Sequence, residues 1–257
     1  MNKTFIWGHR GSGFIGVQNT LSSFQNAIDF RVDGIKTEAL LSKDGEIVLC
    51  SYQSLKKNER DVLINELNVI DIKKFKLENG ETIPTLREVF EAFKKYSIKY
   101  NFDISDPEVG IRIIQLAEEF NLINRIEISK SSINPHPLHA IFSKIREYNQ
   151  EVTLINSIFL KYSTINETHL ELENMRKLNI QGINVNFNYA NYDLFKKVKD
   201  EGFKFYIWGL LFERSIKNFL SMKYNGEYVD AVFSNLPKRV LKMRDEIQKV
   251  NNLSIEL

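Results

Sequence analysis

The sequence predicts a (β/α)8 barrel, a closed ring of parallel strands surrounded by helices. Short runs of strand-forming residues alternate with longer amphipathic helical patterns along the chain, which is typical of βαβ units and a parallel sheet. The chain has 257 residues, and eight units of roughly 32 residues would give the length of about 250 residues that is usual for this fold. Because no linker rich in glycine, serine or proline interrupts the pattern, we expect a single barrel domain over residues 1–257.

Nine segments carry a strand pattern, which is one more than the barrel needs. Successive side chains of a strand point to opposite faces, so residues two apart in these segments share a face. We predict strands over Phe5–His9, Gly34–Leu41, Ile47–Ser51, Ile98–Ser105, Arg125–Ser129, Glu151–Asn156, Gly182–Phe187, Lys204–Trp208 and Asp230–Ser234.

Eight amphipathic segments predict the helices. In the segment that begins at Leu86, apolar residues recur at spacings of three and four, which is the helical period. Asn19 or Thr20 can cap the first helix, and Pro107 opens the third. We predict helices over Leu21–Phe30, Leu86–Tyr96, Val109–Phe120, Pro137–Tyr148, Glu167–Leu178, Asp193–Glu201, Arg214–Met222 and Pro237–Val250.

The segment after the extra strand is predicted to be an insertion. Residues 54–83 are rich in charge and lack a strand pattern. We therefore place an insertion after the second barrel strand and the extra strand Ile47–Ser51, outside the repeating units.

Composition excludes several classes of protein. Lys and Arg number 35 against 33 Asp and Glu, a formal charge of +2, whereas nucleic-acid binders show a basic excess on one face. Cys50 is the only cysteine, so an intramolecular disulfide or a zinc–cysteine cluster is excluded. No run approaches the roughly 18 apolar residues of a membrane span, and the first residues do not resemble a signal peptide. We expect a cytoplasmic protein.

A glycine-rich loop follows the first predicted strand. Residues 11–16, GSGFIG, match the dinucleotide fingerprint, and Glu38 lies about 20 residues further on. However, that fingerprint must itself open a helix, and here the capping residues Asn19 and Thr20 come after the last glycine. We interpret the segment as a glycine loop that covers a site and not as a nucleotide-binding loop.

Ionisable residues stand where barrel chemistry takes place, at the carboxyl ends of strands. His9 and Arg10 end the first strand, and their side chains suit proton transfer and anion binding respectively. Lys36 and Glu38 share one face of the second strand, and Asp103 lies on the next long strand. Two alternatives remain open: His9 is a structural histidine, and the charged residues of the two strands form a solvated ion pair at the rim. Charged side chains inside a barrel must either pair with each other or bind a ligand.

These residues resemble the glycerophosphodiester phosphodiesterase family, which are metal-dependent (β/α)8 barrels that release glycerol 3-phosphate from glycerophosphodiesters. The resemblance covers nearly the whole chain and is most specific in residues 9–49. The matching segments are 9–11 (HRG), 18–21 (QNTL), 33–35 (DGI), 41–48 (LSKDGEIV), 83–86 (IPTL), Trp208 and 229–237 (VDAVFSNLP).

The resemblance also implies a metal site, for Mg²⁺ or Ca²⁺, from which this chain departs. The family has a Glu-x-Asp pair of ligands on the second strand, and Lys36 and Glu38 occupy those two positions. Asp103 corresponds to the third ligand. Glu38 and Asp103 alone are predicted to form a weak or absent metal site, since these cations need several oxygen ligands. Lys36 is instead predicted to bind phosphate.

The proton-transfer pair departs from the family in the same way. One histidine of the family corresponds to His9, but Ser51 stands in the place of the other, so these two are the predicted catalytic positions. Arg10 is predicted to bind the phosphate of the ligand. Ser105, in the place of a family lysine, and Trp208 complete the predicted pocket.

The resemblance therefore implies hydrolysis of glycerophosphodiesters to glycerol 3-phosphate and an alcohol, within lipid and glycerol metabolism. The loss of one histidine and one ligand carboxylate predicts that this activity is impaired. The alternative is a catalytically silent barrel that binds a phosphate-bearing ligand or has a regulatory role. In both cases the expected partner is a small molecule, and the divalent metal of the family is doubtful in this chain.

Overall fold

A closed barrel of parallel strands forms the centre of the computed structural model, which describes residues 3–57, 60–131, 136–158, 165 and 167–249. The strands are β1 Phe5–His9, β2 Gly34–Leu41, β3 Ile47–Leu49, β4 Ser54–Lys57, β5 Arg60–Leu63, β6 Lys99–Ile104, β7 Ile126–Lys130, β8 Thr153–Ser157, β9 Gly182–Asn186, β10 Lys204–Trp208, β11 Lys223–Tyr224, β12 Glu227–Tyr228 and β13 Ala231–Ser234. Around the barrel the order is β1, β2, β6, β7, β8, β9, β10 and β13, and β13 pairs again with β1. The predicted (β/α)8 fold is confirmed.

Helices cover the outside of the barrel and pack on it through a continuous apolar layer. Thr20 caps the first helix by accepting from the backbone N–H of Ser23, and Thr85 forms a capping box with Glu88. The helices are α1 Leu21–Asp29, α2 Val69–Ile72, α3 Leu86–Phe93, α4 Pro107–Glu119, α5 Leu138–Tyr148, α6 Glu167–Leu170, α7 Leu172–Lys177, α8 Tyr192–Asp200, α9 Glu213–Ser221 and α10 Pro237–Ile247. None of these described helices combines the length and apolar character that crossing a bilayer requires.

The helix predicted over residues 167–178 is broken in the structure. Glu171 has a left-handed backbone with φ of 49°, and it separates α6 from α7. Its carboxylate accepts from the backbone N–H of Leu138 and from the side chain of Asn174. These contacts hold Glu171 as a junction between two helices. The end predicted for the last helix, Val250, lies outside the described residues.

The insertion contains a small structure of its own, so the prediction that it lacks a strand is wrong. β4 and β5 form an antiparallel hairpin in which Leu55 is paired with Val62. This one apolar pair, in strands otherwise rich in charge, gives too little alternation for the sequence to reveal them. The hairpin and α2 pack with the strand β3, which runs antiparallel to β2, around a separate apolar core of Val48, Cys50, Ile64, Leu67, Ile72 and Ile83.

Large apolar side chains fill the barrel interior below its carboxyl end. Trp7, Ile155, Tyr206, Ala231 and Phe233 form this inner cluster. It closes the centre of the barrel, so a ligand can enter only above it, among the loops that follow the strands.

The glycine loop after β1 packs tightly on the loop after β13. The backbone N–H of Phe14 donates to the carbonyl of Asn235 at 2.9 Å. A Cβ atom on Gly13 would collide with the backbone of Asn235, whereas one on Gly16 would have nothing within 4 Å. Both glycines have positive φ, so only their surroundings differ.

We expect Gly13→Ala to destabilise the protein more than Gly16→Ala does. Each substitution places a side chain in a left-handed conformation, which costs about 1–2 kcal/mol, but Gly13→Ala adds the collision with Asn235, worth roughly 1–3 kcal/mol. Urea denaturation of the two variants measures the difference. Equal stabilities would show that the two loops do not meet as closely as the structure has them.

Candidate active site

Every predicted site residue lines one cavity of about 330 Å³ at the carboxyl end of the barrel. Neighbouring strands bring these residues together, because His9 on β1 is the register partner of Lys36 on β2, and Glu38 is the register partner of Asp103 on β6. The residues predicted from the sequence that line the cavity are His9, Arg10, Lys36, Glu38, Ser51, Asp103, Ser105 and Trp208.

Glu38 is the hub of the hydrogen bonds on one side of the cavity. One carboxylate oxygen accepts from Nε of Arg10 at 2.8 Å, and the other accepts from Nδ2 of Asn19 at 3.1 Å. Nε2 of His9 lies 3.7 Å from the first oxygen. Burial alone would raise the pKa of Glu38, but the contact with His9 and the charges of Lys36 and Arg10 outweigh it and hold the pKa far below its ordinary range.

The backbone is constrained at both residues that donate to Glu38. Arg10 and Asn19 have left-handed conformations, with φ of 55° and 56°. The backbone N–H of Arg10 donates to the carbonyl of Lys36 at 2.6 Å, and Oδ1 of Asn19 accepts from the hydroxyl of Thr37. A left-handed arginine is costly, so its retention shows that the surrounding contacts fix the guanidinium over the cavity.

A buried ion pair lies across the cavity from this cluster. Nζ of Lys36 contacts Oδ2 of Asp103, and Lys36 as a whole is only 3% exposed. The ammonium also lies 5.5 Å from the ring centroid of Phe233. Burial raises the pKa of Asp103, although the adjacent Lys36 favours its charged form. The lysine predicted from the sequence therefore points into the cavity and is held there by a carboxylate.

His9 is oriented by the loop that follows β13. Its Nδ1 lies 2.7 Å from Oδ1 of Asn235, and the same oxygen accepts from Nε2 of Gln18 at 3.5 Å. Because an amide oxygen only accepts, Nδ1 of His9 carries the ring proton. The other ring nitrogen, Nε2, lies on the side that faces Glu38.

The residues present do not fit the divalent metal ion that the family resemblance implies. The ammonium of Lys36 occupies the space beside Asp103, and both oxygens of Glu38 already accept from Arg10 and Asn19. Within the described residues, no group of three or more His, Cys, Asp or Glu side chains is arranged to hold a metal. A cation there would meet a positive charge where it needs a ligand oxygen.

Three buried polar atoms on the cavity wall have no hydrogen-bond partner among the described residues. They are Oδ1 of Asp103, Oδ1 of Asn184 and Nε1 of Trp208. Buried polar atoms are almost always satisfied in folded proteins. These two acceptors and one donor belong to residues of the cavity wall, and a polar ligand or water that reached them would satisfy them.

The predictions missed the residues that position the site. Of the two predicted caps, Asn19 and Thr20, the structure has Thr20 as the cap, and Asn19 instead bonds Glu38, a role that the sequence does not predict. Asn235 and Asn184 received no role. Asn235 could have been found, because it directly follows β13 just as Arg10 follows β1. Cys50 is a core residue, and burial raises the pKa of its thiol to about 12.

A parallel barrel with ionisable side chains at the carboxyl ends of its strands has the layout of (β/α)8-barrel enzymes. Within that class, the model of the Glycerophosphoryl diester phosphodiesterase family matches residues 9–235. This match begins at His9 and ends at Asn235, the two residues that bond each other in the cavity. The chain belongs to this family.

Individual relatives agree with this assignment. A glycerophosphodiester phosphodiesterase of Caldanaerobacter subterraneus is 29% identical over 152 residues, which are 54% of this chain and 62% of that protein. The aligned part is thus less than two thirds of that relative's length.

Solved structures show the same fold. An Oleispira antarctica phosphodiesterase in complex with the product sn-glycerol-3-phosphate has a TM-score of 0.78 and 20% identity, with 95% of this chain and 97% of that chain covered. The glycerophosphodiester phosphodiesterase of Thermotoga maritima has a TM-score of 0.71 and 20% identity, with 95% and 99% covered.

We expect Glu38→Gln to destabilise the protein at neutral pH by about 1.5–3 kcal/mol, because charged hydrogen bonds are lost. Folding lowers the pKa of Glu38 below its ordinary 4.5, so the carboxylate stabilises the fold above that pH and loses this effect as the pH falls below it. The difference in unfolding free energy between wild type and variant should therefore shrink in acid. Denaturation from pH 7 to pH 3 measures it, with exposed Glu91→Gln as control. A difference independent of pH would contradict the assignment.

Proposed function

We propose that the cavity binds glycerol 3-phosphate or a glycerophosphodiester, and that it hydrolyses the diester weakly without a divalent metal. The observation that carries the proposal is the ammonium of Lys36 inside the cavity, held against Asp103. It supplies a fixed positive charge where the family resemblance implies a metal ligand. A phosphate could therefore be neutralised by the chain itself.

The phosphate would lie between the two cationic side chains. Arg10 donates from Nε to Glu38 and from Nη1 to Gln18, but a guanidinium has five N–H donors in all and suits phosphate bidentately. Lys36 has three donors and one identified contact, to Asp103. Arg10 and Lys36 can each donate a hydrogen bond to an anion while they keep the bonds to Glu38, Gln18 and Asp103.

The glycerol end of the ligand would satisfy the unpartnered atoms of the wall. A hydroxyl can donate to Asp103 or Asn184 and accept from Trp208, as the orphaned atoms require. The Oleispira antarctica phosphodiesterase, whose structure is a complex with the product sn-glycerol-3-phosphate, supports a ligand of this kind. This assignment makes the cavity specific for a phosphate that carries a small polyol.

Among its described residues, the site has only one of the two proton-transfer groups that hydrolysis requires. Hydrolysis of a phosphodiester forms one P–O bond and breaks another, so one group must take a proton from the attacking oxygen and another must protonate the leaving oxygen. Nε2 of His9 can do one of these. Ser51 lines the cavity where a second group is needed, but serine does not titrate near neutral pH, and loss of one such partner costs about 10²–10⁴-fold in rate.

The second candidate function is a silent barrel that binds the same ligand and catalyses nothing. The buried pair of Lys36 and Asp103 favours it, because the pair fills the position where the family resemblance implies a metal ion. The two candidates share the ligand and differ only in turnover. Release of glycerol 3-phosphate from glycerophosphocholine, measured with and without Mg²⁺ or Ca²⁺, separates them.

We expect glycerol 3-phosphate to bind with equal affinity in the presence and absence of EDTA, and binding to weaken about 10–150-fold in Lys36→Met. That factor corresponds to a charge-assisted hydrogen bond of roughly 1.5–3 kcal/mol. Titration calorimetry on both proteins measures it. Lys144→Ala, a change of an exposed lysine on α5, is the matched control.

Because Lys36→Met leaves Asp103 buried without its partner, the double variant Lys36→Met/Asp103→Asn keeps the test valid if the single variant unfolds. Affinity that requires added Mg²⁺ or Ca²⁺ would overturn the metal-free proposal. Affinity that survives the loss of Lys36 in a folded variant would do the same.

We expect Lys36→Glu and Ser51→His, combined in one chain, to raise hydrolysis of glycerophosphocholine by about 10²-fold or more and to make it metal-dependent. The changes supply the two groups that the family resemblance implies are missing, a ligand carboxylate and a second proton-transfer partner. Rates with Mg²⁺, Ca²⁺ and EDTA measure the gain. Ser51→Ala/Lys36→Glu, which lacks the second histidine, is the control. An unchanged rate in the folded double variant would show that other positions limit turnover.

A further inference from the structure

Exposed apolar side chains are concentrated around the mouth of the barrel. Nine large apolar side chains are exposed in the described part of the chain, and five of them belong to the loops that follow the strands β1, β3 and β10. Scattered exposed apolar residues are normal in proteins, but a cluster marks a surface that contacts something apolar. We call these five the apolar arc: Phe14, Ile15, Tyr52, Leu211 and Phe212.

The strand order places the members of the apolar arc on connections close to one another around the barrel. Phe14 and Ile15 lie in the loop after β1, and Leu211 and Phe212 lie in the loop after β10. Only β13 separates β10 from β1 in the barrel, and the loop after β13 bonds the backbone of Phe14. Tyr52 lies in the connection between β3 and β4, on the other side of β1. The five side chains therefore belong to three connections, those that follow β10, β1 and β3.

The apolar arc borders the cavity directly. Leu211 lines the cavity itself, and Tyr52 follows Ser51, which also lines it. A second groove of about 510 Å³ runs beside Tyr52 and shares Arg10 and Ser51 with the cavity. A cationic, hydrogen-bonding floor is thus bounded on this side by exposed apolar groups.

We propose that the apolar arc docks on a phospholipid bilayer, so that a phosphodiester headgroup enters the cavity from the lipid surface. This inference rests on the proposed binding of a phosphodiester. The chemistry is that of an amphiphile: the phosphate needs Arg10 and Lys36, and the acyl region needs apolar groups just outside them.

The form of the apolar arc favours a bilayer over a second copy of the chain. Phe212 is 70% exposed and Phe14 is 59% exposed, and they lie at the tips of separate loops, not on one flat helix or sheet face. Side chains of this kind can each enter the boundary between headgroups and acyl chains. Arg10 and Lys36 in the adjacent cavity retain hydrogen-bond donors that a phosphate of the same surface can accept from.

Co-sedimentation with vesicles of phosphatidylcholine and phosphatidylglycerol tests the proposal. The wild type should sediment with the vesicles, and Phe14→Ser/Ile15→Ser/Phe212→Ser should partition about tenfold or more weakly, because three large apolar groups no longer leave water. At position 212 a serine also suits the helix, since Phe212 is the N-cap residue of α9. Folding of this variant should therefore be preserved.

Tyr148→Ser is the control for the single variant Phe212→Ser. Tyr148 is 45% exposed and ends α5, at the face of the barrel opposite the mouth. The Tyr148→Ser variant should bind vesicles as the wild type does, whereas Phe212→Ser should bind them more weakly. An equal loss in the two variants would overturn the assignment of the surface.

The test can also assign the apolar arc to one of two other occupants, a single acyl chain or a second copy of this chain. Binding of monomeric lysophosphatidylglycerol without binding to vesicles would replace the bilayer by a single acyl chain and overturn the proposal. Sedimentation velocity without lipid should show a monomer, and a dimer that the triple variant dissociates would assign the apolar arc to a second copy, also overturning it.

Calorimetry with soluble glycerol 3-phosphate keeps the two proposals distinguishable. The triple variant changes no residue that lines the cavity, so it should bind glycerol 3-phosphate as the wild type does. If that ligand binds the wild type but the vesicles do not, the docking proposal alone fails. If the vesicles bind through the apolar arc and glycerol 3-phosphate does not bind, the assigned function of the cavity fails.

Discussion

The buried pair of Lys36 and Asp103 is the constraint on which the rest of the site depends. An ammonium inside the barrel is tolerated only beside a carboxylate, because an unpaired buried charge costs several kcal/mol. The parallel register places Asp103 opposite Glu38, two residues beyond Lys36 on the adjacent strand. The lysine therefore reaches its partner along the strand direction, and it ends where a ligand phosphate would arrive.

A second network of hydrogen bonds keeps Glu38 ionised and engages both of its carboxylate oxygens. Its carboxylate could compete for Lys36, yet Arg10 and Asn19 already bond its two oxygens. These contacts offset the left-handed backbone that both donors adopt. The cavity is thus divided into two neutralised halves, each with a cation that retains hydrogen-bond donors for an anion. Such a division suits anion binding better than the collection of several carboxylates that a divalent cation needs.

The sequence predicts the barrel and the floor of the site because both follow from simple periodicity. Strand ends in a parallel barrel converge, so Lys36, Glu38 and Asp103 could be brought together without knowing any contact. Asn19 acts through a loop conformation that local sequence does not determine, whereas Asn235 directly follows β13 and was open to the same argument as Arg10. The hairpin of the insertion was missed for a related reason: its strands share one apolar pair, and the charged residues around it hide the pattern.

The two halves also limit how the site can change. Lys36→Glu alone would bring three carboxylates together inside the barrel with no cation of the chain between them, and removal of one partner of a buried ion pair costs about 3–5 kcal/mol. Asp103→Ala alone would leave the ammonium buried without its carboxylate. Each single change therefore costs part of the stability of the fold, and a metal-binding arrangement is favoured only if a bound cation or a second substitution compensates the charge. The same pairing of charges keeps Lys36 in the cavity, where the proposed anionic ligand would meet it.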